Sequence, residues 1–243
     1  MARNFRESQH LPNVRGDQGA DPRELPRQRR GKTPQMHGRY PDYDCLARRD
    51  HWDDLTRAVV VGRVERVPER AFFDDSEAAT LGAFCDRALA QDSEPRIPVL
   101  AFVDEKFAAG RSDGYRYADM PDDCETWRLV ARGLDETARE RGGTSYADAS
   151  TEVQQSVADD FAEGKCAGGV WDDLNQTRAW SVVMRSILAA FYAHPWAWNE
   201  IGFGGPAYPT GYARLGIGLS EAWEGAEAID VDSVPDEVEK GFE

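Results

Sequence analysis

From about residue 50 onward, apolar positions in this chain of 243 residues recur at helical spacing. Leu81, Phe84, Cys85, Ala88 and Leu89 fall at i, i+3, i+4, i+7 and i+8, the stripe of an amphipathic helix. Asp74-Asp75-Ser76-Glu77 just before it reads as a capping box, with Phe72 and Phe73 placed as a hydrophobic staple. Upstream, Trp52, Leu55 and Val59 mark one face of a helix that should stop before Pro68. Leu100, Val103 and Phe107 predict a short helix from about Pro98 to Ala109, ended by Gly110. The polar run RSDGYRYADM leads to a helix that should begin near Pro121, a favoured first helical position. Trp127, Val130, Ala131 and Leu134 form its stripe, and Gly142-Gly143 ends it. Ser150 caps a helix carrying Val153, Val157 and Phe161 as far as Gly164. Gln176 to about Ala193 gives the clearest pattern, with Trp180, Val183, Met184, Ile187, Leu188 and Phe191 at helical spacing.

Runs of period-two alternation and repeats of 30–50 residues are not found. The expectation is an all-α protein with a single helical domain over residues 44–218, ending in a Gly/Pro/aromatic-rich loop. Residues 1–43 form a basic arm and residues 219–243 an acidic tail, both expected to be disordered because they carry little apolar surface. A minor hairpin would fit near residues 201–217.

Composition leaves this picture in place: 41% hydrophobic and 10% aromatic residues fit a globular protein. The net charge of −15 argues against a nucleic-acid binder, which needs a basic surface. The charge is uneven. Residues 1–40 hold nine Lys or Arg against four acids, and residues 221–243 hold nine acids against Lys240. No apolar run approaches the roughly 20 residues of a membrane span. Arg27-Gln28-Arg29-Arg30 resembles the start of an export signal, but no apolar segment follows. Cytoplasmic location is therefore expected, with export alongside a partner as the alternative. Cys45, Cys85, Cys124 and Cys166 form no CxxC pair and have no His at metal-ligand spacing, so they read as reduced, mostly buried thiols. Two disulfides remain open for an exported chain.

Candidate chemistry is sparse. The histidines are His10, His37, His51 and His194, with no HExxH pair. There is no GxSxG elbow and no phosphate-binding GxxxxGK[ST] loop. Gly202-Phe203-Gly204-Gly205-Pro206 follows no strand and is no dinucleotide fingerprint. Paired acids such as Asp122-Asp123 cluster at helix starts, where the helix dipole favours them. An enzyme built on this chain would use His194 and Glu200, with Asp135 or Asp172, in a cleft beside the aromatic segment. A scaffold or chaperone in the cytosol is a third reading.

That segment, FYAHPWAWNEIGFGGPAYPTGY at 191–212, holds seven aromatic residues threaded with Pro195, Pro206, Pro209 and glycines. Its prolines and glycines argue against a regular helix or strand over most of its length. Its aromatics either fold back onto the helices or form a rigid surface for another protein. Phe72-Phe73 before an acidic cap, then CDRALAQD, AFVDEKF, RGLDETARERGG and this segment, resemble the gluconate 2-dehydrogenase subunit 3 family. The resemblance covers roughly residues 70–216. Pro195, Gly204-Gly205-Pro206 and Gly211-Tyr212 follow the order of the family's ending. The frequent N-terminal twin-arginine signal of the family is missing.

The resemblance implies a non-catalytic small subunit, with no cofactor in this chain. Its partner would be a large FAD-dependent dehydrogenase of the glucose–methanol–choline (GMC) type, oxidising alcohols, sugars or sugar acids. A cytochrome c subunit accompanies some such pairs, and any haem or iron–sulfur centre belongs to the other subunits. The small subunit would bind, stabilise or help mature that partner. The residues expected to meet it are His194, Trp196, Trp198, Asn199, Phe203, Tyr208 and Tyr212.

Overall fold

A computed structural model describes residues 43–92, 94–114, 116–212, 221 and 223–225. The proposed arm at 1–43 and tail at 219–243 fall almost wholly outside the described residues. Every regular element among the described residues is helical, and none is a strand. The all-α expectation therefore holds. None of these helices is long and apolar enough to cross a membrane.

The chain forms two compact units. The central unit, Arg66–Ala193, contains α2 (Asp75–Ala88), α3 (Val99–Ala108), α4 (Asp123–Glu140), α5 (Thr151–Ala162) and α6 (Gln176–Tyr192). A single 3-10 turn, Gly169–Asp172, precedes α6. The caps read from sequence are in place. Asp74 accepts from the Glu77 amide while Glu77 reaches back to the Asp74 amide, so two orphan donors of α2 are satisfied reciprocally. Ser150 caps α5 by accepting from the Val153 amide, and Asn175, which the sequence reading did not name, caps α6 by accepting from the Arg178 amide. Helix α4 starts two residues later than expected: Asp122 is its cap and Pro121 lies outside, because an aspartate side chain can accept from Glu125 N–H.

Two aromatic clusters fill this unit. Phe73, Phe107 and Trp127 meet at centroid separations of about 6 Å, tying the approach to α2 onto α3 and α4. Phe84, Tyr146, Phe161, Trp171 and Trp180 form the other. Trp171 lies flat against α4 at Gly133, where a Cβ would sit 2.5 Å from its ring, and it donates to Gly133 O and Thr137 Oγ1. On α6 the stripe is buried at Val183, Ile187 and Phe191, but Leu188 is exposed.

The terminal unit draws on both ends of the chain, Met1–Glu65 and His194–Glu243. It contains the 3-10 helix Cys45–His51, α1 (Asp54–Glu65) and α7 (Pro195–Ile201). One expectation is corrected here. Trp52 ends the 3-10 helix instead of lying on α1, and Leu55 and Val59 are 74% and 50% exposed; the α1 residue that is buried is Val60. The reason is that Trp52 and Val60 both turn toward Trp198, which sets the buried face about one residue away from the expected stripe. The aromatic segment is irregular over most of its length, as expected, but it also holds the short helix α7. Pro195 occupies the first turn of α7, where its missing N–H costs nothing, and Gly202 ends the helix in the left-handed conformation. No strand occurs among the described residues 201–212, so the hairpin is not found there; residues 213–217 lie outside the described residues.

Candidate docking surface

In the terminal unit, residues about 150 positions apart close on one another. Cys45, Trp52, Val60 and Trp198 form its buried core, with Tyr43, Leu46 and Phe203 packed against it. The polar groups in this apolar setting are paired, as burial demands. Cys45 N–H donates to Asn199 Oδ1 at 2.8 Å, and its thiol to the Pro195 carbonyl at 3.5 Å. Trp52 Nε1 donates to the Pro206 carbonyl at 3.1 Å. Arg48 donates to the Gly204 carbonyl at 3.3 Å while its guanidinium lies 4.0 Å from the centroid of the Trp223 ring. Tyr43 donates to the Trp223 carbonyl at 2.6 Å.

The two glycines make this closure possible. A Cβ on Gly204 would lie 2.6 Å from Trp223, and one on Gly205, whose φ is +78°, would lie 2.8 Å from Trp52. Only glycine lets the backbone come this close.

Burial sets the local electrostatics. It pushes the Cys45 thiol up to about 12, reinforced by the Asp44 charge, and raises the Tyr43 phenol well above its usual range. It also lowers Arg48. A neutral thiol and a neutral phenol at ordinary pH are poor nucleophiles. What this arrangement does chemically is hold two chain segments together.

A family model described as gluconate 2-dehydrogenase subunit 3 matches residues 75–205, more than half of the chain. The chain belongs to the gluconate 2-dehydrogenase subunit 3 family. No curated protein and no solved structure matches it. The matched range takes in α2 to α7 and the Gly204-Gly205 pair, but none of the residues 43–65 that those glycines approach.

The seven residues expected to meet a partner separate by burial in this gluconate 2-dehydrogenase subunit 3 family member. His194 is only 2% exposed and caps α7, its Nδ1 accepting from Trp196 N–H at 3.2 Å. Burial lowers its ring to about 4, partly offset by a hydrogen bond to the Arg63 backbone. Trp198 is buried in the core described above. Neither side chain lies at the surface of this chain. Asn199 is half-buried, with its oxygen committed to Cys45. Trp196 is half-buried with its ring 4.9 Å from His194, and Phe203 packs edge-on to Trp198 at 5.4 Å. Tyr208 and Tyr212 are 64% and 50% exposed, and Ile201 is exposed as well.

The residues of the enzyme reading are otherwise engaged. Asp135 accepts from Thr80 Oγ1 and Tyr146 N–H, and Asp172 accepts from Gly168 N–H. Glu200 is half-buried on α7. No group of three or more His, Cys, Asp or Glu able to hold a metal occurs among the described residues. All four cysteines are free, three of them buried and Cys124 half-buried. Sequence reasoning missed Tyr43, Arg48, Trp52 and Trp223. The signal available for them was Gly204-Gly205, a pair that predicts close backbone approach without saying to what.

Proposed function

We propose that this chain is a non-catalytic small subunit that binds and stabilises, or helps mature, a large FAD-dependent GMC-type dehydrogenase acting on alcohols, sugars or sugar acids. Membership of a family named for a subunit of gluconate 2-dehydrogenase carries this reading. The burial pattern supports it: His194 and Asn199 are spent on holding the fold, while Ile201, Tyr208 and Tyr212 stand exposed on the same short stretch. Tyrosines on a loop are economical docking groups, since they offer large contact area for little lost rotamer freedom. FAD belongs, in this reading, to the large subunit.

The test is co-expression with a large GMC-type flavoprotein, followed by pull-down and thermal melting of the same variants. Tyr208→Ala combined with Tyr212→Ala should weaken recovery of the flavoprotein and leave the melting temperature of the isolated chain within a degree or two, as for exposed sites generally. Trp198→Ala should instead lower stability by about 3–5 kcal/mol, the range for a buried aromatic. Sugar oxidation by the isolated chain, lost on His194→Ala, would overturn the proposal.

A further inference from the structure

Arg185, on α6 of the central unit, faces two carboxylates and is bonded to one. Its Nε donates to Asp113 Oδ2 at 2.8 Å. The other Asp113 oxygen is held by the Lys106 ammonium of α3. Asp113 thus ties the segment after α3 to both α3 and α6. Arg185 Nη2 stops 3.9 Å from Asp123 Oδ1, beyond hydrogen-bond range. Arg185 Nη2 and Asp123 Oδ2 are both buried without a hydrogen-bond partner. The Asp123 side chain is only 6% exposed.

A buried carboxylate with an unused oxygen next to a buried, unused N–H is a costly arrangement. A guanidinium on its long stem can close that gap by a small swing, at the expense of Asp113. Asp123 lies in the first turn of α4, where the helix dipole favours its charge without any partner. Asp113 and Arg185 are each about a third exposed, so the bond that exists is the one solvent weakens. The two arrangements therefore trade a half-exposed pair against a buried one, and small differences decide between them.

We propose that Arg185 is a two-position switch. In the state seen here it holds Asp113; in a second state it moves onto Asp123, and segment 111–114 is released from α3 and α6. Such an element, with two discrete arrangements, is what coupling between a surface event and a helical core requires.

The test uses the full chain and reads amide exchange over 112–114 together with trypsin cleavage after the exposed Arg111. Asp113→Asn removes the charged acceptor of the closed state and should speed both by roughly fivefold, the effect of losing one partly exposed ion pair. Asp123→Asn removes the charged acceptor of the released state and should slow both by a similar factor. The opposite signs are the signature. Two carboxylates that merely stabilise the fold would both speed exchange when neutralised, and faster or unchanged exchange in Asp123→Asn overturns the switch. Exchange in α2 and α5 serves as the control for general loosening. Should Asp123→Asn fold poorly, Arg185→Lys supplies the second arm: it loses the guanidinium fork and should speed exchange. In Asp113→Asn, adding Arg185→Lys should then change little, because both act on one contact. Fully additive effects also overturn the proposal. Salt should speed exchange in the wild type, where the Asp113 pairs are reached by screening, and much less in Asp113→Asn.

Discussion

His194 shows how one side chain can serve the fold and become a liability in acid. As the cap of α7 it must present a lone pair on Nδ1 to the Trp196 N–H, so its neutral form is the one the structure uses. Burial drives its ring from 6.5 to about 4. An unfolded chain takes up a proton near 6.5, whereas the folded chain resists until about 4; between those values the unfolded state binds more protons. Stability is therefore fully present above about 6.5 and is lost as pH falls toward 4. The loss should be on the order of 3 kcal/mol, from about 1.4 kcal/mol per pKa unit. His194→Asn keeps a side-chain cap and removes the titration. Urea unfolding at a series of pH values should show the wild type losing stability across this window more steeply than His194→Asn. Parallel curves would mean that the ring protonates in the native state as readily as in water.

Among the elements, α2 depends on a device that no pattern of apolar positions reveals. The buried Asp104 carboxylate on α3 accepts from the Ala71, Phe72 and Phe73 amides, which fixes the approach to α2 and seats Phe73 beside Phe107 and Trp127. Asp104→Asn replaces one acceptor oxygen by an NH₂ that faces amide donors. The expected cost is about 2–3 kcal/mol, that of a charged hydrogen bond lost with its donors left buried. Chemical denaturation checks it, and a change below about 0.5 kcal/mol would show the segment holding its path without the carboxylate. Helices α2, α4, α5 and α6 were legible because each joins an apolar stripe to a local cap: Asp74, Asp122, Ser150 and Asn175 all lie next to the helices they start. Helix α3 has no side-chain cap and was legible from its stripe and Gly110. Helix α1 was legible as a helix but not in its orientation. Its one buried residue, Val60, is selected by Trp198, nearly 140 positions away. Helix α7 was hidden by aromatic density, although Pro195 at its first turn was a readable sign. The closure around Cys45 was not legible at all, since every bond in it joins residues remote in sequence.

At the scale of the whole molecule, the two units draw on the chain differently, and that difference is testable through its cysteines. The central unit is one continuous stretch with its own aromatic clusters, and Cys85 is buried within it. Cys45 is buried in the terminal unit, where Trp198, Pro195 and Asn199 supply its surroundings from the far end of the chain. With its thiol pushed up to about 12, only ~10⁻⁴ of Cys45 is ionised at pH 8, and attack on it requires opening of the unit. A chain ending at Ala193 removes every one of those partners and none of the central unit. In that shortened chain, Cys45 should react with a thiol reagent at the rate of an unfolded cysteine, a rise of roughly a hundredfold or more. Cys85 should stay protected and the helical circular dichroism of the central unit should persist. Mass spectrometry of the labelled chain separates the two sites. Reaction at Cys85 as fast as at Cys45 would show that the central unit cannot stand without residues 194–225. The family-matched range of 75–205 would then be a folding unit, rather than a central unit with one half of a closure attached.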